Sequence, residues 1–268
     1  LGSARTAYAP YLDRTFTAGF NGGTVRLRSA ANPFGCRGED FAISSVRIYE
    51  KGLTIDTLAF NNVSLAVKFE NEGEAEGLFV KTGSGTLKAK MKETDSGAKG
   101  DYASRALLST HSYTRVDAGT VVAKTNGSIP SGTELILNGG TLDLGGFDAD
   151  AERPTTFSGI SGTGGTVDKG SVKVAGEWKI SAKKFIDRET TVLKGTLDLT
   201  ACTKIVLTDT DVLDETAEQL KRLELFKTTS TTWPENLVIE GVPQGWSMKR
   251  TATGLKLGFD HGALLIVR

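Results

Sequence analysis

"LFVKTGSGTLKAK", Leu78 to Lys90, can be read as either of two very different structures. Two glycines, small hydroxyl residues and flanking lysines make either a phosphate-cradling loop or a tight bend between two strands. A loop of the G-x-x-x-x-G-K-[ST] kind needs a lysine directly after its last glycine and a helix behind it, so that both meet the phosphates. Here Thr86 follows Gly85, and Lys81 precedes both glycines. Thr86-Leu87-Lys88-Ala89 alternates polar and apolar residues at the period of a strand. The bend reading therefore wins: Gly83 and Gly85 are its corner residues, Thr86 and Leu87 begin the next strand, and Lys81, Lys88 and Lys90 are expected to face solvent.

The same Gly-Thr-apolar unit recurs as "GGTVRLR" from Gly22, "AGTVVAK" from Ala118, "GGTLDLG" from Gly139, "GGTVDKG" from Gly164 and "KGTLDLT" from Lys194. Each copy reads as a turn followed by a strand. From Gly119 onward the copies come at intervals of about 20 to 30 residues, the period of stacked coils rather than of a sandwich. Between them lie short apolar runs such as "ELILN" (Glu134 to Asn138), "SVKVAGEWKI" (Ser171 to Ile180), "TTVLKG" (Thr190 to Gly195) and "KIVLTD" (Lys204 to Asp209), with the length and boundaries of strands. No helical pattern separates them, so a βαβ sheet is excluded and parallel strands must be joined by winding. The expected fold is all-β, a parallel β-helix.

One segment departs from the period of two. "DVLDETAEQLKRLELF" (Asp211 to Phe226) offers Asp214 as an N-cap and Glu218 with Arg222 as an i,i+4 pair, so it predicts one short helix. The strand-like "LVIEGVPQGWSMKR", "TGLKLGF" and "ALLIVR" after it predict a C-terminal capping sheet over the end of the core. The expected division is a β-helix over 1–210, irregular to about residue 77 and regular over 78–174, then the helix and capping strands over 211–268. The start at Leu1 reads as that of a processed product or a fragment. "KAKMKETDSGAKGDYASR" (Lys88 to Arg105) is almost free of apolar residues and reads as a solvated loop.

Composition narrows function. Lysine plus arginine balances aspartate plus glutamate at 32 each, so no net field draws in nucleic acid or an anionic membrane surface. No run approaches the roughly 18 apolar residues of a membrane span. Cys36 and Cys202 match no metal-ligand spacing and leave a disulfide and two free thiols equally open. His111 and His261 are the only histidines, and no serine sits in a G-x-S-x-G setting. A second glycine-rich stretch, Ser158 to Ser171, spaces Gly165 and Gly170 like a phosphate loop but carries Ser171 where lysine is required. The acidic groups "GFDADAER" (Gly146 to Arg153) and "TDTDVLDET" (Thr208 to Thr216) read as turn and capping residues ahead of weak calcium sites. Asn62 and Asn126 begin glycosylation sequons short enough to arise by chance. No catalytic, cofactor or metal residue is assigned.

With these residues in hand, the chain resembles the autotransporter-associated β-strand repeat family. Its unit runs as an apolar strand, K-x-G-x-G-T-L, an aromatic-Thr-Gly loop and a coil ending in A-G-T-L. Lys81, Gly83, Gly85, Thr86 and Leu87 match the first half; Tyr113 and Thr114, then Ala118, Gly119 and Thr120, match the second. Arg115 stands where the family commonly has glycine, and the resemblance covers roughly Gly52 to Val174. The resemblance implies a right-handed β-helix that is secreted or displayed on a bacterial cell surface, a non-enzymatic structural or adhesin-like module and perhaps a subunit of an extracellular assembly. It carries no catalytic residue and no cofactor to transfer.

For partners, the expectation is self-association through the ends of the β-helix, or through the apolar strand Ala263, Leu264, Leu265, Ile266 and Val267, which either seals the last coil or pairs with a neighbour's edge. A glycan or surface ligand is the other expected partner; no nucleic acid and no membrane span are expected. The alternative function is a carbohydrate-binding or polysaccharide-degrading β-helix. It requires Asp143, Asp148, Asp150, Asp198 and Trp178 to converge on one groove.

Overall fold

The structure, a computed structural model, describes residues 16–31, 33–34, 43–65, 68–71, 78–89, 114–123, 132–144, 156–187, 189–213 and 223–259. The first eight strands are β1 (Phe16–Phe20), β2 (Thr24–Arg26), β3 (Ile43–Ile48), β4 (Leu53–Asp56), β5 (Val63–Leu65), β6 (Lys68–Asn71), β7 (Phe79–Thr82) and β8 (Thr86–Ala89). The middle holds β9 (Thr114–Val116), β10 (Thr120–Ala123), β11 (Glu134–Asp143), β12 (Thr156–Phe157), β13 (Gly159–Val174) and β14 (Gly176–Ser181). A one-turn helix α1 (Lys183–Ile186) precedes β15 (Thr191–Asp198), β16 (Cys202–Thr208), a 3₁₀ turn at Thr210–Val212, β17 (Leu223–Thr232), β18 (Val238–Glu240), β19 (Trp246–Thr251) and β20 (Gly254–Phe259).

The described chain is nearly all strand, and most of its pairing is parallel. In the largest sheet β2, β4, β7, β9, β11, β13, β15 and β17 lie side by side in that order, each parallel to the next. A second run, β5, β8, β10 and then β11, adds to it through the residues after each Gly-Thr. Two smaller parallel sheets stand apart from it: β1-β3-β6 and β14-β16-β18. Only the C-terminal hairpin breaks the pattern, with β20 antiparallel to both β17 and β19. The large sheet therefore ends on antiparallel strands.

The registers explain the core. Leu53, Phe79, Thr114, Leu135 and Ile160 stand in one row across successive strands, and Val63, Leu87 and Val121 with Leu142 and Val167 in another. All are buried. The period of two along the strands puts most apolar residues of successive strands on the same side, and parallel pairing stacks like on like. Burying such a Leu or Phe side chain is worth about 1.5–3 kcal/mol, so a one-residue slip of any strand is costly.

One expectation needs correction. The Gly-Thr units are not always gaps between short strands: β11 runs for 10 residues and β13 for 16, straight through their glycines. The bends are taken up as register shifts between Asn138 and Thr141 and between Thr166 and Ser171, so the ladder resumes after each. The short helix expected within Asp211 to Phe226, with Asp214 as its N-cap, falls outside the described residues. Thr210–Val212 is a 3₁₀ turn and Leu223 already begins β17, while 214–222 lie outside the described residues. "LELF" pairs with β15 on one side and β20 on the other, with Leu225 and Phe226 buried. The helix that does form, α1, had no sequence signal beyond Lys183 reaching Asp187 across one turn at 2.5 Å. Ala263 to Val267, His111, His261, Cys36, Lys90 and Tyr113 lie outside the described residues. The Cys202 thiol is free and buried.

Candidate functional site: a bend built around a buried lysine

Lys81 does not face solvent. By alternation it shares the side of Phe79, and in register it stands between Ile55 of β4 and Val116 of β9, both fully buried. Its own exposure is 0 %. The row Ile55, Lys81, Val116, Leu137 is thus an apolar column with one cation in it.

The bend that follows accounts for the cation. Where β7 turns at Gly83 towards β8, carbonyl oxygens point inward, and an apolar side chain could not satisfy them. The Lys81 ammonium donates to the carbonyls of Thr82 at 2.8 Å, Gly83 at 2.8 Å and, from the next pass, Ala118 at 3.0 Å. Three protons meet three acceptors, which is the full donor capacity of the group. The two halves of the sequence motif are brought together here. Thr120 and Val121 pair in register with Thr86 and Leu87, and the Thr120 N–H donates to Gly85 at 3.2 Å. Of the expected motif residues, Gly83 and Gly85 form the bend, Thr86 and Leu87 begin β8, Ala118 and Gly119 form the bend above it, and Thr120 begins β10. Since the bend turns carbonyls inward and the Gly85 N–H is bound to Leu58 at 2.7 Å, it offers no cradle for an anion.

Neighbouring passes fix their bends with residues to which, Arg115 apart, the sequence reading gave no part. After β4, Asp56 accepts the Leu58 N–H at 2.9 Å and pairs with Arg26 at 2.9 Å, holding Leu58 at a φ of 50°. The Leu58 amide, then the Arg26 guanidinium, keep the Asp56 carboxyl below its ordinary value in spite of partial burial. After β9, Arg115 forks onto Asp117 with two bonds of 2.7 Å, and Asn138 of the following pass donates to Asp117 at 3.0 Å while accepting the Thr163 N–H at 3.2 Å. Burial opposes ionisation of Asp117, but Arg115 and Asn138 outweigh it and its carboxyl stays below the ordinary range. The local signal for Asp56 is an Asx-type turn, Asp two residues before the amide it accepts. Asp117 and Asn138 depend on chain 21 residues apart and leave no local mark.

Of the acids proposed for a glycan groove, the two described, Asp143 and Asp198, do not meet. Asp143 is 8 % exposed and bound to Lys169 at 2.6 Å. It stands opposite Asp168, whereas Asp198 stands opposite Lys173 and Thr232 and holds the Thr200 amide and hydroxyl at 2.9 and 2.7 Å. Trp178 is no groove aromatic: at 4 % exposure it stacks on Phe226 at 5.0 Å inside the core, because it shares the inward side of β14 with Ile180. Asp148 and Asp150 lie outside the described residues. Of the second acidic group, Asp209 accepts from Ser181 at 2.5 Å and Thr208 at 3.2 Å, and Asp211 lies in the 3₁₀ turn. Among the described residues no three His, Cys, Asp or Glu side chains are grouped to hold a metal ion.

Burial pushes Lys81 down from an ordinary 10.5 to about 8, against the pull of the Asp56 carboxylate. The folded value lies below the unfolded one, so the unfolded chain binds more protons between the two. Stability is therefore expected to rise as pH goes from about 8 to about 10.5, by at most about 1.4 kcal/mol per pH unit. Denaturation midpoints across this window check it against Lys81→Met, whose curve should lack the rise; parallel curves for the two proteins would refute the assignment.

Comparison of the chain with protein-family models, with curated proteins and with solved structures finds no match.

Proposed function

We propose that this chain is a right-handed parallel β-helix serving as a non-enzymatic structural module of an extracellular or cell-surface assembly in a bacterium. The observation that carries the reading is the order in which the sheets are visited. The chain alternates between the small sheet and the large one, β1 then β2, β3 then β4, β6 then β7, and each return pairs parallel to the strand one pass earlier. Winding satisfies that order without long crossings, and parallel crossovers in one sheet are right-handed in about 98% of cases. Lys81 supports the same reading, since its ammonium ties one coil to the next in place of apolar filling.

Likeness to the autotransporter-associated repeat rests on the motif residues Lys81 to Leu87 and Ala118 to Thr120, which meet at one bend. Stiffness follows from the continuous backbone ladder. A polysaccharide-degrading reading would need two acids facing each other across an open groove, and Asp143 and Asp198 are committed to Lys169 and to Thr200.

Sedimentation velocity of the full chain, beside a chain ended after Phe259, tests the assembly. Concentration-dependent oligomers of the full chain that vanish in a shortened but still folded one are the expected result, with Ala263 to Val267 as the assembling strand. A full chain that stays monomeric at every concentration rules the assembly out. A shortened chain that unfolds assigns the strand to sealing the last coil instead.

A further inference from the structure

We propose that the groove where β15 turns into β16 and β17 turns into β18 binds a neutral saccharide. The groove is a shallow, largely open depression of about 480 Å³, wide enough to seat roughly one or two sugar rings on its surface. Its apolar part comes from Trp233 and Pro234 beside the buried Cys202. Trp233 is fixed before any ligand arrives: its indole N–H donates to the Thr251 carbonyl at 2.7 Å, its ring lies 6.0 Å from Phe226, and the Arg250 guanidinium sits 5.9 Å from its centroid. A surface held this way loses little side-chain entropy on binding.

The polar part is of a different kind. Glu235 and Asn236 line the groove, are exposed, and make no hydrogen bond or ion pair with the described residues. Thr200 and Thr203 donate their hydroxyl protons to Asp198 at 2.7 Å and to Gly176 at 3.2 Å, which leaves oxygen lone pairs free to accept. No Lys, Arg or His is among the lining residues, the Arg250 guanidinium lies over Trp233, and the Glu235 carboxylate beside the groove disfavours phosphates and nucleotides. What remains is a rigid apolar patch ringed by a carboxylate, a carboxamide and two hydroxyl acceptors. A sugar ring matches it, with C–H groups on one face and adjacent hydroxyls that donate to Glu235 and exchange donor and acceptor with Asn236. A cationic peptide would answer only the carboxylate. The inference goes beyond the scaffold reading and stands whether or not the chain assembles.

The test is calorimetric titration of the full chain with cellotetraose, maltotetraose, chitotriose, mannotriose and tetralysine, with indole fluorescence as a second readout. Saturable binding of at least one saccharide is expected. Glu235→Ala and Asn236→Ala, both exposed and safe for folding, should each weaken it about fivefold or more, the worth of one hydrogen bond. Lys179→Ala, outside the groove, should leave it unchanged. No saturation by any of the saccharides, saturation by tetralysine alone, or a saccharide affinity indifferent to both groove variants would each overturn the proposal.

Discussion

Lys81→Met is expected to destabilise the fold by about 3 kcal/mol, within a range of roughly 2–4, and to lower the thermal midpoint by roughly 6–12 °C. Methionine nearly fills the lysine's space and suits a column whose other members are Ile55, Val116 and Leu137. Packing is therefore not the main loss. The Thr82 carbonyl keeps the Thr57 N–H at 3.1 Å, but the carbonyls of Gly83 and Ala118 have no second donor among the described residues. Each orphaned acceptor costs about 1–3 kcal/mol.

Two terms work the other way. Methionine removes a buried charge, whose burial lowers the lysine to about 8, and replacement of buried ions by apolar groups is often neutral or favourable. Nor does the substitution strand a counter-charge, since Asp56 keeps Leu58 and Arg26. The two lost bonds outweigh these gains because they join different passes of the chain. Lys81→Arg is expected not to rescue, because the guanidinium needs room where Gly119 already lies, a Cβ there falling 2.7 Å from the Lys81 Nζ. Thermal and urea midpoints of the two variants decide it; a loss below about 1 kcal/mol for methionine would mean that water replaces the ammonium without cost.

Alternation carried most of the fold from the sequence. The rows through Leu53 and Phe79, and through Leu87 and Val121, follow from period two once the Gly-Thr units set where each strand restarts. The same rule already contained the position of Lys81, two residues after Phe79, and of Trp178, two before Ile180. Lys81 was assigned to solvent on its charge and Trp178 was required at a groove only by the glycan alternative, and in both the pleat placed the side chain inward. Lys81 is tolerated inside only because Gly83 and Ala118 supply acceptors, and Ala118 comes from 37 residues further along. No local pattern shows that closure. The Trp233 groove was missed because its walls come from two bends of successive passes, neither with a motif of its own.

Gly85→Ala and Gly119→Ala are expected to be among the most damaging single-methyl additions in the described chain, each costing about 3 kcal/mol or more. A Cβ on Gly85 would run into the Phe60 carbonyl oxygen and lie 2.7 and 2.8 Å from the Phe60 carbonyl carbon and nitrogen. A Cβ on Gly119 would run into the Gly85 carbonyl, at 2.5 Å from the Gly83 oxygen, and its backbone φ of 67° is itself unfavourable for alanine. Backbone stands on backbone in this line: Thr86 donates to Phe60, Thr120 to Gly85 and Thr141 to Gly119. No side chain can rotate away to relieve the clash, so one pass must lift off the next and break those bonds. Gly132→Ala separates the two causes. It has a φ of 89° but open space around its Cβ, so it should cost only about 1–2 kcal/mol of backbone strain. Gly85 is the sharper case, for it has no unusual φ and its whole penalty is contact. Urea midpoints that rank Gly85→Ala level with or milder than Gly132→Ala would show that the passes are loosely stacked, and the bend around Lys81 would lose its role in joining them.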